Sequence, residues 1–344
     1  MDEMVIKEKL AALSMCYSIT VMEYHGREYC ISASEERDGG IVMIDTETKA
    51  VSELEGLAGG VMAVIPIPEH EGEFLSIQKF YPIFDSGKAQ VVRCRISGEI
   101  SPKMQAEVSV VADIPFVHRI ALAGTPGKRK IIAATLCRDK AFIDDWSQPG
   151  SVYEYDLDEN FKVVGITPLI QGITKNHGMY LYEKQGGSYI LISGEQGVWV
   201  IDEKSGFRKL SEEAISDLCM FDVDGDGIDE MVCIAPFHGD HMKVFKKTAE
   251  DWEYIADEPI HFGHAIWSGM CGEKPLIISC SRGEDKCTRI YRQVIRKGEF
   301  LLESTDIDEG VGASNIHVVE KDGAVVLYAA NHGIGQVARY TIME

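Results

Sequence analysis

Short apolar and alternating runs recur along the chain, separated by turns rich in glycine and aspartate. Residues 177–202 show the unit most clearly, as an alternating run (HGMYLY), an apolar run (YILIS) and a second alternating run (GVWVID). Runs of about five to eight residues bounded by such turns are typical of β-strands. The more polar segments 162–166, 252–255 and 299–302 each follow the third strand of a unit and predict an exposed fourth strand.

This strand unit recurs seven times. The copies begin near residues 17, 60, 118, 177, 217, 264 and 317. Their mean spacing is about 50 residues, a period typical of β-propeller blades. The sequence therefore predicts an all-β, seven-bladed β-propeller of four-stranded blades, in one domain that spans residues 1–344. Six blades with a small cap is the alternative, because the first copy is the weakest.

The N-terminal segment resembles a displaced outer strand. The last copy ends at Glu344 without a fourth strand, whereas residues 4–10 (MVIKEKL) precede the first copy with the pattern of an outer strand. We therefore expect residues 4–10 to pair with the last blade and close the ring, which removes two free sheet edges.

Charge and cysteine usage limit the partners and the compartment. The 34 Lys and Arg residues against 55 Asp and Glu give a net charge of −21, which argues against nucleic acid or an anionic membrane as a partner. A hydrophobic fraction of 45% is enough for a large core and argues against disorder. No apolar run reaches the roughly 18 residues of a membrane span. The nine cysteines contain no CxxC pair and the N-terminus lacks a leader pattern, so we predict a cytoplasmic protein.

The segment Asp222–Glu230 (DVDGDGIDE) carries the most specific local motif. It has carboxylates at positions 1, 3, 5 and 9 and a backbone carbonyl at position 7, a spacing that suits hard cations such as Ca²⁺. The motif resembles the DxDGDGxxD/E loop of FG-GAP/VCBS-type propeller repeats, where a calcium loop joins the first two strands of a blade. The resemblance implies five ligands: Asp222, Asp224, Asp226, the carbonyl of Ile228, and Glu230. A solvated hairpin without a bound ion is the alternative.

Histidines recur at related positions of the repeat. In a propeller, the loop that enters each inner strand and the loop between the second and third strands open on the same face. The first set of loops contains His118, His177, His264 and either Asn315 or His317, and the second contains Gln78, Lys79, Arg138, Glu195, His238, Arg282, Asn331 and His332. Imidazoles around one axis predict a divalent metal site or an acid–base cluster. We take His177, His238, His264 and His317 as the candidate ligands of Zn, Mn or Mg. Histidines that only hydrogen-bond neighbouring blades are the alternative.

Two enlarged loops add aromatic residues to the same face. Segments 79–85 (KFYPIFD) and 138–150 contain Tyr81 and Trp146, and long loops on a rigid scaffold often bind ligands. With Glu195, these residues are predicted to contact a small-molecule or oligosaccharide substrate that is anionic or carries a carbonyl group. Packing of the aromatics onto their own blade is the alternative.

The repeat and the acidic loop suggest a reaction class by resemblance. Together they are similar to the propeller of aldos-2-ulose (anhydrofructose) dehydratases and, more loosely, to propeller polysaccharide lyases. The resemblance implies a carbon–oxygen lyase or dehydratase that acts by β-elimination on a sugar or uronate. The cupin-like second domain of the dehydratases is missing from this sequence, which argues against an isomerase step.

Such a reaction assigns roles to the cationic and imidazole side chains of the loops that open on this face of the propeller. A bound metal would polarise a carbonyl or carboxylate, and His118 or His332 would accept the proton. Arg138, Arg282 or Lys79 would stabilise the enolate. One alternative is a non-catalytic binding or scaffold propeller with a structural calcium loop. A hydrolase that uses Asp144 and Glu195 is weaker, because no carboxylate pair is defined by spacing.

Overall fold

A computed structural model describes residues 4–184, 187–202, 206–249, 251–296 and 299–344. Within these ranges the chain forms 28 strands, β1 to β28 in chain order, and a 3-10 turn at His332–Ile334, with no α-helix. It packs as two compact units. The N-terminal unit contains Leu10–Met179 and Gly335–Val337, and the C-terminal unit contains Met1–Lys9, Tyr180–Ile334 and Ala338–Glu344.

The N-terminal unit contains an eight-stranded sheet and a four-stranded sheet. The first half of the larger sheet is β2 (Cys16–Tyr24), β3 (Arg27–Ser34), β4 (Ile41–Asp45) and β5 (Val51–Glu55). Its second half is β6 (Ala63–Pro66), β7 (Glu73–Gln78), β8 (Gln90–Ile96) and β9 (Lys103–Asp113). The smaller sheet is β10 (Val117–Ala123), β11 (Lys130–Thr135), β12 (Gly150–Leu157) and β13 (Val163–Ile173).

The two halves of the eight-stranded sheet meet along their outer strands. Strand β5 runs parallel to β9, with Glu53 opposite Lys103 and Leu54 opposite Met104. The alternation in β5 turns Leu54 into the core and leaves both glutamates exposed. The Lys103 ammonium lies 3.0 Å from the Glu55 carboxylate. Sequence reasoning did not predict this junction.

The C-terminal unit contains four four-stranded sheets. The first is β14 (Gly178–Lys184), β15 (Gly187–Gly194), β16 (Gly197–Asp202) and β17 (Gly206–Ser211). The second is β18 (Asp217–Phe221), β19 (Glu230–Ala235), β20 (His241–Lys247) and β21 (Trp252–Pro259). The third is β22 (Gly263–Cys271), β23 (Lys274–Ser281), β24 (Thr288–Arg296) and β25 (Glu299–Asp308). The fourth is β1 (Met4–Ala12), β28 (Gln336–Met343), β27 (Ala324–Asn331) and β26 (Ala313–Lys321), in that spatial order.

Several strand predictions are confirmed. The N-terminal strand β1 lies beside β28 as the outer strand of the last sheet. The polar segments at 162–166, 252–255 and 299–302 lie in or begin the outer strands β13, β21 and β25. In the described part of the chain, no helix has the length and apolar character needed to cross a membrane.

All nine cysteines are buried thiols. Burial raises the pKa of Cys137 and of Cys287 to about 11, so little reactive thiolate forms at neutral pH. We expect a thiol reagent such as Ellman's reagent to leave the folded protein unlabelled and to detect nine thiols after denaturation. An Asp38→Cys variant, changed at an exposed position, should react in the folded state. Rapid labelling of the unchanged folded chain would contradict the burial of these residues.

Candidate functional site

Three of the predicted histidines follow the same backbone bend. His118 and His264 are the second residues of β10 and β22, and His177 directly precedes β14. In each case the residue two positions earlier has a positive φ, an uncommon conformation for any residue but glycine. These residues are Phe116 (58°), Lys175 (54°) and Phe262 (56°). The residue four positions earlier is a buried isoleucine: Ile114, Ile173 and Ile260. The three histidines therefore occupy equivalent positions of the repeat.

In the N-terminal unit, His118 and His177 form a buried imidazole pair. Their ring centroids are 4.8 Å apart, and the exposed fractions are 3% and 0%. The Tyr17 hydroxyl lies 3.2 Å from Nε2 of His118, and the Phe80 ring meets the same imidazole edge-on at 5.4 Å. Arg119 donates to the backbone carbonyl of His177 at 2.6 Å. The pair is thus fixed by aromatic packing and by hydrogen bonds from one strand to the next.

In the C-terminal unit, His238 stacks on His264. The ring centroids are 5.0 Å apart with an interplanar angle of 22°, and a ring nitrogen of each lies within 4.8 Å of the other. Phe262 covers His238 at 4.5 Å. His238 has a φ of 47°, and its backbone N–H donates to the Ser216 hydroxyl at 3.1 Å. The turn after β19 therefore holds this imidazole against the second residue of β22.

Arg282 joins two imidazoles in the same unit. Its Nη1 lies 3.2 Å from Nε2 of His264, and its Nη2 lies 3.1 Å from both ring nitrogens of His332. The Arg282 backbone N–H donates to the carbonyl of Phe262 at 2.9 Å, which fixes the loop after β23. We call His238, His264, Arg282 and His332 the C-terminal imidazole cluster.

The hydrogen bonds of His264 determine which of its nitrogens carries the proton. Nδ1 lies 2.5 Å from the backbone carbonyl of Ser314, and a carbonyl only accepts, so Nδ1 is the donor. Nε2 then presents its lone pair to the Arg282 guanidinium. The imidazole is neutral in this arrangement, and a neutral imidazole can act as a base or as a metal ligand.

The enlarged loops of the N-terminal unit hold their aromatic residues in internal contacts. The Lys140 ammonium lies 3.3 Å from the Trp146 ring centroid, and Phe84 meets that ring at 5.3 Å. The Arg37 guanidinium lies 3.8 Å over the Tyr81 ring. Both rings therefore already have a cation on one face.

Four further predicted residues lie in their predicted loops, but His317 does not lie at the entry of its inner strand: the second residue of β26, equivalent to His264 in β22, is Ser314, and His317 follows three residues later inside the strand. Lys79 follows β7 with a φ of 61°, and Arg138 contacts Gln148 within its own loop. Glu195 is exposed in the turn between β15 and β16, and Asp144 is exposed in the 138–150 loop. His317 lies in β26 beside Tyr328, with a centroid separation of 6.5 Å.

The acidic segment Asp222–Glu230 joins β18 to β19, the predicted position. Asp222 accepts hydrogen bonds from the backbone of Gly225 at 2.7 Å and of Gly227 at 2.8 Å. Both Asp224 and Asp226 contact the Lys246 ammonium. Ile228 is half exposed.

Sequence reasoning missed the residues that support the predicted ones. They are Tyr17, Phe80, Phe262, Ser314 and Lys246. Of these five residues, only Phe262 belongs to a pattern visible in the sequence, because Phe116-Val-His118 and Phe262-Gly-His264 share the pattern F-x-H.

One solved structure settles the fold class. The β-propeller domain of Cps50 (Swd1) from Myceliophteria thermophila matches 98% of this chain and 99% of its own, with a TM-score of 0.50 and 12% sequence identity. The fold is a β-propeller. At this identity the likeness concerns the fold alone. No family model matches the sequence, and no curated protein matches it.

Proposed function

We propose that this chain is a seven-bladed propeller and a carbohydrate-active carbon–oxygen lyase that uses the C-terminal imidazole cluster. Five four-stranded sheets and an eight-stranded sheet with two antiparallel halves support a count of seven blades. The observation that carries the activity is the Arg282 guanidinium held between His264 and His332. A cation between two proton-accepting rings suits a substrate that is anionic or becomes anionic during reaction.

The reaction proposed is β-elimination. His332 accepts the proton from the carbon beside a carbonyl or carboxylate group, and the C–H electrons form the new double bond. The enolate formed first collapses as the C–O bond at the next carbon breaks, and the departing oxygen takes up the proton that His332 accepted. Arg282 stabilises the enolate oxygen, the charge that develops in the transition state. His118 is the alternative base, and Lys79 and Arg138 are further candidate cations, by repeat position alone.

The imidazoles of His238 and His264 would suit a transition metal once the Arg282 guanidinium, which lies 3.2 Å from Nε2 of His264, moves away from that nitrogen. Zinc and similar ions bind neutral imidazole nitrogen, and His264 has a neutral tautomer whose second nitrogen is held by the Ser314 carbonyl, the support that ligating histidines commonly have. A bound divalent metal would polarise the substrate carbonyl or carboxylate. The sequence also predicts His177 and His317 as ligands. His177 belongs to the N-terminal unit.

A non-catalytic binding propeller is the second candidate. The cation–π contact of Lys140 with Trp146 favours it, because a covered ring offers less surface for stacking against a sugar. In that case the cluster binds an anionic ligand without chemistry, and any calcium in the Asp222–Glu230 loop is structural.

Metal analysis tests the two candidates. The untagged protein, prepared without chelators, is analysed by inductively coupled plasma mass spectrometry beside His264→Ala, His238→Ala and, as a matched control, His241→Ala. His241 is exposed and pairs with Asp257. We expect a transition metal in the unchanged protein and the control, and its loss in the other two variants. Calcium alone, unchanged by either substitution, would contradict the metal-dependent lyase.

Product absorbance tests the chemistry directly. Uronates and ketosugars are screened for unsaturated products in the ultraviolet. With an active substrate, Arg282→Gln is expected to lower kcat by about 10²–10³-fold, the usual cost of removing one such donor. The absence of turnover on the whole panel, together with ligand binding that Arg282→Gln abolishes, would favour the binding propeller.

A further inference from the structure

A lysine side chain lies among the carboxylates of the Asp222–Glu230 loop. Lys246 is in β20, the strand that pairs with β19 on the side away from β18. Its ammonium contacts Asp224 and lies 2.7 Å from Asp226 Oδ2 and 3.8 Å from Glu230 Oε1. Three of the five predicted calcium ligands therefore surround a cation that the chain itself supplies.

Glu230 indicates independently that the loop is built around a cation. The residue is fully buried. Its Oε2 accepts the backbone N–H of Val223 at 2.9 Å, whereas its Oε1 accepts no hydrogen bond. An unbonded carboxylate oxygen inside a protein is costly unless a positive charge faces it. The nearest positive charge is Lys246, at a distance longer than a hydrogen bond.

The Lys246 ammonium contacts Asp224 and Asp226 closely and lies farther from Glu230, so it satisfies the two aspartates better than it satisfies Glu230. A divalent ion, with six to eight oxygen ligands, would serve all of these carboxylates.

We infer that Lys246 is a built-in competitor for calcium: its ammonium holds the position between Asp224, Asp226 and Glu230, and the ion enters only when this side chain swings out. The inference rests on the proposed calcium loop and adds to it a residue outside the motif. Loops of this class without such a lysine would bind calcium without displacing an ion pair. In this chain, calcium binding must break the contacts of Lys246 with Asp224 and Asp226, so the calcium affinity is lowered. Without calcium, the loop stays folded around the Lys246 ammonium.

Calcium titration of four proteins tests the inference. Isothermal calorimetry compares the unchanged protein, Lys246→Met and Lys247→Met, with Lys246→Gln as a second variant in case the methionine variant does not fold. Lys247 is the adjacent residue and lies over the Trp252 ring instead of the loop, which makes it the matched control. We expect both Lys246 variants to bind calcium at least about tenfold more tightly than the unchanged protein and the control.

Chemical labelling gives a readout that does not depend on the variants. Acetic anhydride is applied to the unchanged protein with and without millimolar calcium, and the modification of Lys246 is measured by mass spectrometry against that of Lys247. Calcium should increase the labelling of Lys246 alone, because the displaced ammonium moves into solvent. Calcium binding that is equally tight in all proteins, with constant labelling, would overturn the role of Lys246 and leave the calcium loop standing. Absence of binding in every variant would overturn both.

Discussion

A chain that lacks residues 1–9 is expected to unfold about 6 °C below the full-length protein and to aggregate on heating. Strand β1 covers the edge of β28, and Val5 packs against the core of the C-terminal unit. Lys7 lies 2.5 Å from Asp308, and Glu8 lies 2.5 Å from Arg339. The deletion removes an apolar contact, two ion pairs and a ladder of backbone hydrogen bonds, for which we expect a loss of about 4 kcal/mol.

Differential scanning calorimetry and light scattering measure the two effects. Glu8→Ala is the control, because it removes one ion pair and keeps the strand, and it should cost no more than about 1 kcal/mol. A deleted chain that melts within about 2 °C of the intact one would show that β1 contributes little to the last sheet.

Glu73→Gln is expected to destabilise the protein by about 3 kcal/mol at neutral pH, since it breaks a buried charge pair and leaves its arginine partner behind. Glu73 is 7% exposed and accepts hydrogen bonds from Arg93 at 2.7 Å and from Arg95 at 2.8 Å. Burial by itself would raise the pKa of this carboxyl, but the hydrogen bonds from the two arginines outweigh it and hold the pKa below the usual value.

The sign of the pH dependence follows from this lowered pKa. The stabilisation is complete above the ordinary glutamate pKa of about 4.5 and is lost as the pH falls through the lower folded-state value. Urea unfolding should therefore show a steeper loss of stability as the pH falls below about 4.5 in the unchanged protein than in Glu73→Gln. The control is Glu107→Gln, since Glu107 is exposed and lies 3.8 Å from Arg95. Equal acid sensitivity of all three proteins would rule out Glu73 as the group responsible.

Local patterns were enough to predict the strands and their grouping. Alternation in GVWVID gave β16, and the charged but periodic MVIKEKL gave the outer strand beside β28. Each depends on which face of a few consecutive residues is buried, so each can be read along the chain. The apolar runs on either side of Asp222–Glu230 likewise predict that this acidic loop joins two strands, β18 and β19.

Contacts between distant residues could not be read in this way. Tyr17 reaches His118 across 101 positions, and Arg282 reaches His332 across 50. Lys246 meets Asp224 because β20 lies beside β19, and its position in an alternating strand does not reveal its partner. The parallel pairing of β5 with β9 depends on how two halves of a sheet meet, for which three residues such as Glu53, Leu54 and Glu55 give no specific signal.

The backbone bend before His118, His177 and His264 is formed by residues other than the histidines themselves. The buried isoleucine and the left-handed residue set the path of the backbone, whereas the histidine side chain follows that path without determining it. Equivalent positions of the repeat therefore share one backbone conformation, whatever side chain they carry. A substitution of one of these histidines is therefore expected to change the side chain that is presented and to leave the backbone bend in place.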